Sequence, residues 1–146
     1  MVLAAYHRFP LPAMSRIHIT DIEAAINHWR ERAPSCDGVV LAPELRALAE
    51  VYGRMVFARS DEIDEERLSH RAMSAWLDWY RTTPDTPCIA ICSTSQGDSW
   101  CKGCGRSFAE VQHWLAMSPA DKRAVWRRIT REGQALRFTR YTERAR

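Results

Sequence analysis

No apolar run in this 146-residue chain approaches the roughly 20 residues that cross a bilayer, which argues against a membrane-spanning helix. The opening MVLAAYHRFPLPAMSR has neither the basic start nor the long apolar core of a secretory signal. Glycine is scarce, with six residues, and none of them makes a phosphate-cradling loop. No nucleophile stands at motif spacing from a base, and no catalytic zinc signature appears. The sequence therefore does not read as an enzyme. Nor is it strongly charged overall, since the formal net charge is only +3.

What is present describes a folded protein with a site. Hydrophobic residues make up 46% and charged residues 27%, a balance that suits a soluble globular chain. Six tryptophans supply large apolar anchors to short helices. Five cysteines, in a chain without an export signal, point to a cytoplasmic protein that binds a metal rather than one held by disulfides. Residues 1–16 read as a flexible leader, with Met14 an alternative start.

The helical pattern predicts a mainly α protein: a small N-terminal helical bundle, then a four-cysteine metal-binding loop and two short helices. Residues 17–82 form the helical domain, 84–131 the metal-binding domain and 132–146 a basic tail. Thr20 and Glu23 have the spacing of a capping box for a first helix, with Ile22, Ala25, Ile26 and Trp29 on its buried face. Pro43 suits the first position of a second helix running to about Arg59, buried through Leu45, Leu48, Ala49, Tyr52 and Val56. DEIDEE at 61–66 reads as an acidic loop before a third helix over 65–81, with Leu68, Ala72, Ala75, Trp76 and Trp79 inward. TTPDTP at 82–87 is a boundary or a stiff link. Ser107 with Glu110, and Ser118 with Pro119, open two further helices. Val111, Trp114 and Leu115 are the expected inward positions of the first, Val125 and Ile129 of the second. Leu136, Phe138 and Tyr141 are docking points for the tail.

Chemistry concentrates in PCIAICSTSQGDSWCKGCGRS, where Cys88, Cys92, Cys101 and Cys104 follow the spacing C-x3-C-x8-C-x2-C. A C-x2-C pair followed by glycine makes a tight turn whose backbone N–H groups can face the sulfurs. Gly103 and Gly105 tolerate the positive φ such a turn needs. Four thiolates close a tetrahedral zinc site, with no open position for catalysis, or hold one iron–sulfur cluster. Either group would contribute much of the folding energy here, because the segment has few large apolar residues beyond Ile89, Ile91 and Trp100. The two isoleucines are expected to pack on Trp114. Lys102 and Arg106 lie beside the ligands, where they could offset thiolate charge or face solvent.

Pro87, Cys88, Cys92, Cys101, Gly103, Cys104, Arg106, Glu110 and Trp114 together resemble the bacterial domain-of-unknown-function family 1289, over about 84–131. Members of that family are described as predicted iron–sulfur proteins, so the resemblance brings a cluster level with zinc. Ile19–Thr20, Ile22–Glu23, Ala25–Ile26–Asn27 and Trp29–Arg30, with the acidic turn, are similar to the domain-of-unknown-function family 3717, over about 17–80. Neither resemblance implies a catalytic residue.

Other ligand-type residues stand alone. Cys36 reads as a lone thiol, His28 as a surface residue, and His113 as helix surface or packing. His18 and His70 have no partner at motif spacing, and Glu62, Asp64, Glu65 and Glu66 lack the pattern of a calcium loop. The functional expectation is a small metal-stabilised interaction or adaptor protein with a protein partner. Two alternatives stay open. Lys122, Arg123, Arg127 and Arg128, with the tail, could contact nucleic-acid phosphates or an acidic partner. A cluster at the cysteines could instead serve redox sensing or electron transfer.

Overall fold

The computed structural model describes residues 15–32 and 40–140. It is mainly α-helical, with six α-helices and one two-stranded sheet among the described residues. Strand β1 (Arg16–His18) runs directly into α1 (Ile19–Arg32), followed by α2 (Pro43–Phe57), β2 (Glu62–Asp64) and α3 (His70–Tyr80). Helices α4 (Phe108–His113), α5 (Pro119–Glu132) and α6 (Leu136–Arg140) follow the cysteine segment. None of these helices is long and apolar enough to cross a membrane.

The acidic stretch is not simply a loop. Glu62–Asp64 pairs antiparallel with Arg16–His18, placing Ile17 opposite Ile63. Both isoleucines are buried, while Arg16 reaches Glu62 and Asp64 at 3.6 and 3.2 Å on the open face. The inward isoleucine flanked by polar residues is a two-residue alternation, which suits a half-buried strand rather than a helix. Ser15 and Arg16 thus belong to the fold and not to a leader; residues 1–14 lie outside the described residues.

The strand also displaces the first helix start. Ile19 N–H donates to Asp61 O at 2.8 Å, so the chain enters α1 from the sheet edge. Thr20 lies inside the helix, its hydroxyl 2.9 Å from His18 Nδ1, and Glu23 accepts from the Tyr52 hydroxyl at 3.1 Å. The expected Thr20–Glu23 capping box gives way to these contacts. In α2 the buried positions are Leu45, Leu48, Val51 and Met55. The stripe is turned relative to the expected one because α1 and α3 both pack against it: Tyr52 keeps its hydroxyl at the rim, and Val56 faces out. Helix α3 starts later than expected, at His70, where the Ser69 hydroxyl accepts from Ala72 N–H at 3.2 Å; residues 65–67 form a 3-10 turn. Its buried face is Ala72, Ala75, Trp76 and Trp79, as expected, whereas Leu68, also expected on it, precedes the helix and is half-buried. Trp76 is fully buried and stacks on Tyr80 at 5.8 Å.

Two apolar clusters meet along α5. Ala120, in its first turn, belongs to the cluster formed by α1, α2, α3 and the sheet. Val125, Trp126 and Ile129, further along, join Trp114, Ala135 and Phe138 in the other. Both predicted starts hold in this half. Ser107 and Glu110 form a reciprocal capping box, and Ser118 accepts from Asp121 N–H with Pro119 in the first turn. Gly133 ends α5 at φ +60, a value few side chains tolerate. Helix α4 ends at His113, and Leu115, expected inside, is 93% exposed because a 3-10 turn over Trp114–Ala116 rotates it outward. The tail is docked at one of the expected points. Phe138 is buried, Arg137 stacks over Trp126 at 4.9 Å, and its Nη1 donates to Pro87 O at 2.9 Å. Tyr141 falls outside the described residues.

Candidate metal centre

The C-x2-C-G segment forms the tip of a tight antiparallel turn. Phe108 N–H donates to Ser99 O, Cys101 N–H to Arg106 O, and Gly105 N–H back to Cys101 O. Trp100 and Ser107 make the bridge at its base. This geometry buries both Cys101 and Cys104. The two glycines serve different needs. Gly105 takes the positive φ, +85, while Gly103 has no room for a side chain: a Cβ there would lie 2.0 Å from Ile91 O. That close approach brings the segment carrying Cys88 and Cys92 against the turn.

Further contacts fasten the two together. Lys102 N–H donates to Ser93 Oγ at 2.9 Å, and Ser93 Oγ donates to Trp100 O at 3.3 Å. The Cys101 thiol is 3.5 Å from Ile91 O. From the other side, Leu136 N–H and Arg137 N–H donate to Lys102 O and Gly103 O, so the start of α6 braces the turn. The tip is thus held by its own hairpin, by the preceding loop and by the last helix.

The electrostatics at the two sulfurs differ. Burial pushes the Cys101 thiol up, but the backbone N–H groups of Cys104, Ser93 and Gly103 and the Cys104 side chain outweigh it. The net direction for Cys101 is downward, toward a thiolate. Burial is also the largest influence on Cys104 and leaves it raised, although Arg106 pulls the other way. Arg106 is buried: its Nε donates to Cys104 Sγ at 3.4 Å and its guanidinium lies over the Trp114 ring at 4.7 Å. Of the two neighbouring cations, Arg106 therefore faces a sulfur. Lys102 points outward to Asp98 at 3.1 Å.

The other two cysteines are arranged differently. Cys92 is half-buried with its Sγ 3.0 Å from Thr94 Oγ1, and Cys88 is exposed, accepting from Ala90 N–H at 3.4 Å. Ala90 itself adopts φ +63, a strained value for alanine. Among the described residues, no three His, Cys, Asp or Glu side chains are grouped closely enough to share a metal ion. The chain thus buries two thiols, of which Cys101 alone shifts toward the thiolate, and lays the other cysteines on an adjoining loop, without gathering all four. Ile91 is 40% exposed and does not pack on Trp114; its carbonyl, not its side chain, makes the contact. His113 Nδ1 sits 2.9 Å from Ala109 O on the surface of α4, and Cys36 lies outside the described residues.

The basic residues of α5 turn mainly toward protein carboxylates. Arg123 and Arg127 both bind Asp21, at 3.0 and 2.6 Å, and Asp21 is only 2% exposed. Arg128 reaches Glu110 at 2.6 Å and Glu132 at 3.0 Å. Lys122 meets Asp85 at 2.9 Å and lies over Trp114 at 5.5 Å. Asp85 also accepts from the Tyr80 hydroxyl and Trp114 Nε1, and its carbonyl accepts from Trp126 Nε1. Sequence reasoning missed Asp21 and Asp85, whose partners lie far along the chain. It also missed Thr94 and Arg137, both of which stand beside the cysteine segment.

Two family models match the chain. Residues 15–81 match one described as Protein of unknown function (DUF3717), and residues 86–132 match another, Protein of unknown function (DUF1289). The junction between the matched segments, 82–85, contains Asp85 and so is part of the packed structure. No curated protein and no solved structure matches the chain.

Proposed function

We propose that this is a metal-stabilised interaction protein, in which the Cys101–Cys104 turn is the nucleating half of a four-thiolate site completed by Cys88 and Cys92. The observation that carries the reading is the burial of Cys101 and Cys104 in one tight turn, against which the loop bearing Cys88 and Cys92 closes through Ile91 O. The surrounding backbone amides also lower the Cys101 pKa. Backbone amides aimed at a sulfur stabilise the negative charge that a metal ligand must bear. Arg106 supplies a fixed positive charge at the second sulfur. Cys88 and Cys92 flank Ile91, whose carbonyl already rests on Gly103, so they stand on the loop nearest the pair.

When bound, zinc would act as a structural cross-link, and an iron–sulfur cluster would add one-electron chemistry. The same four sulfurs suit either. Lys122, Arg123, Arg127 and Arg128 give the nucleic-acid reading little support, because their charges are directed to Asp85, Asp21, Glu110 and Glu132.

The test is elemental analysis and a visible spectrum on one sample purified without oxygen. One zinc per chain without colour identifies a structural ion. Iron with sulfide and a broad visible band identifies a cluster and moves the function to redox sensing or electron transfer. Neither metal, in wild type and in Cys101→Ser alike, overturns the proposal.

A further inference from the structure

We propose that the groove along the outer side of α2, facing the start of α3, binds an acidic amphipathic peptide segment of a partner protein. This rests on reading the chain as an interaction protein, but not on a metal at the cysteines.

The groove is lined by apolar and basic residues together. One part, about 780 Å³, is lined by Ala47, Gly53, Phe57 and Leu68. A second part, about 430 Å³, shares Ala47, Glu50 and Ser69 with it and continues past Val40, Leu41 and Pro43. Large apolar side chains stand open here: Phe57 is 92% exposed and Val40 69%. Apolar groups grouped in this way are characteristic of binding surfaces.

The charges around the groove choose the occupant. Arg54 and Arg67 line the first part, Arg46 and Arg71 the second, and Glu50 is the single carboxylate among the lining residues. Among the described residues, none of these four arginines makes an ion pair; Arg54 donates only to Arg67 O, at 3.4 Å. The contrast with α5 is direct, for there Arg123, Arg127 and Arg128 all bind carboxylates. Unpaired guanidiniums interspersed with exposed apolar side chains complement a segment whose large apolar residues alternate with Asp or Glu.

Gly53 is an independent sign. It stands inside α2, where glycine disfavours the helix, yet a Cβ there would meet nothing within 4 Å. Packing within the chain does not require it. A bare backbone in the groove lining lets an incoming segment approach closely. The chain's own first 14 residues, MVLAAYHRFPLPAM, contain no carboxylate side chain and are a poorer electrostatic match.

The experiment selects 16-residue peptides from a random display library against the full chain and measures the binding of the selected synthetic peptides by fluorescence anisotropy. The selected sequences should combine Asp or Glu with large apolar residues. Phe57→Ser, Gly53→Gln and the double variant Arg46→Glu/Arg71→Glu should each weaken binding at least tenfold while retaining wild-type circular dichroism. Selected peptides without carboxylates, no saturable binding, or undiminished binding to the folded variants would each overturn the proposal. So would anionic vesicles binding where peptides do not, or self-association in sedimentation that Phe57→Ser abolishes. Metal content is read on the same samples, so failure of the groove and failure of the cysteine site are seen separately.

Discussion

Arg127 Nη1 donates to Asp21 Oδ2 at 2.6 Å, joining two residues 106 positions apart. Arg123 binds the other oxygen through Nε and Nη2, at 3.2 and 3.0 Å. The carboxylate is buried, whereas both guanidiniums retain some contact with water. Burial pushes the Arg127 pKa down and Asp21 opposes that, so carboxylate and cation stabilise one another. Arg123 also lies over Trp79 at 5.2 Å, linking the same contact to the core of the N-terminal helices.

Asp21→Asn removes the carboxylate charge that pairs with both Arg123 and Arg127. Urea unfolding should show a loss of about 3 kcal/mol, the scale for breaking a buried ion pair from one side. A loss below about 0.5 kcal/mol, typical of an exposed position, would mean that water already solvates the arginines.

Gly103→Ala places a methyl carbon against Ile91 O, where only 2.0 Å is available. Backbone on both sides must move. The expected loss is about 1–3 kcal/mol, the range for overpacking. Hydrogen exchange of the Lys102 amide, which donates to Ser93 Oγ, should quicken together with that loss. Unchanged exchange would show that the loop and turn separate easily.

Tyr80 should ionise late. Burial first, and then its hydrogen bond to Asp85, push its phenol up to about 12. The folded state therefore holds this proton more tightly than the unfolded chain. Stability from this group is complete below the ordinary tyrosine range and falls as pH rises through that range to about 12. An ultraviolet titration should show one tyrosine ionising last, and Tyr80→Phe should remove that step. Disappearance of an earlier step instead would refute the assignment.

Gly53→Ala should stabilise the chain by about 0.5–1 kcal/mol, because α2 gains a better helix former. The new methyl group enters open space. Thermal unfolding measures this directly, and a lowered midpoint would reveal a steric conflict.

Local signals were readable and distant ones were not. Ser107 with Glu110, and Ser118 with Pro119, act within one helical turn, and both starts stand as predicted. The short C-x2-C-G motif likewise foretold a tight turn, and its neighbour Arg106 was found beside a sulfur. Thr20 and Glu23 carried an equally good local pattern and failed. Their surroundings are set by a strand pairing with residues more than 40 positions away. In α2, two overlapping apolar stripes have helical spacing, and only the packing of α1 and α3 selects Val51 and Met55 over Tyr52 and Val56. Asp21 carried no local signal, because nothing near it in sequence names Arg123 or Arg127.

The Asp21 contact also bears on how the chain could be divided. A cut at 82–84 would leave one fragment with the Asp21 carboxylate and the other with the two guanidiniums that bind it. Neither fragment would inherit a finished surface. Each would instead present the mould of the other, with opposite charges to guide the pieces together. The junction thus makes the two halves a complementing pair, suited to a split reporter whose reassembly draws on the Asp21 ion pairs and on the docking of Ala120.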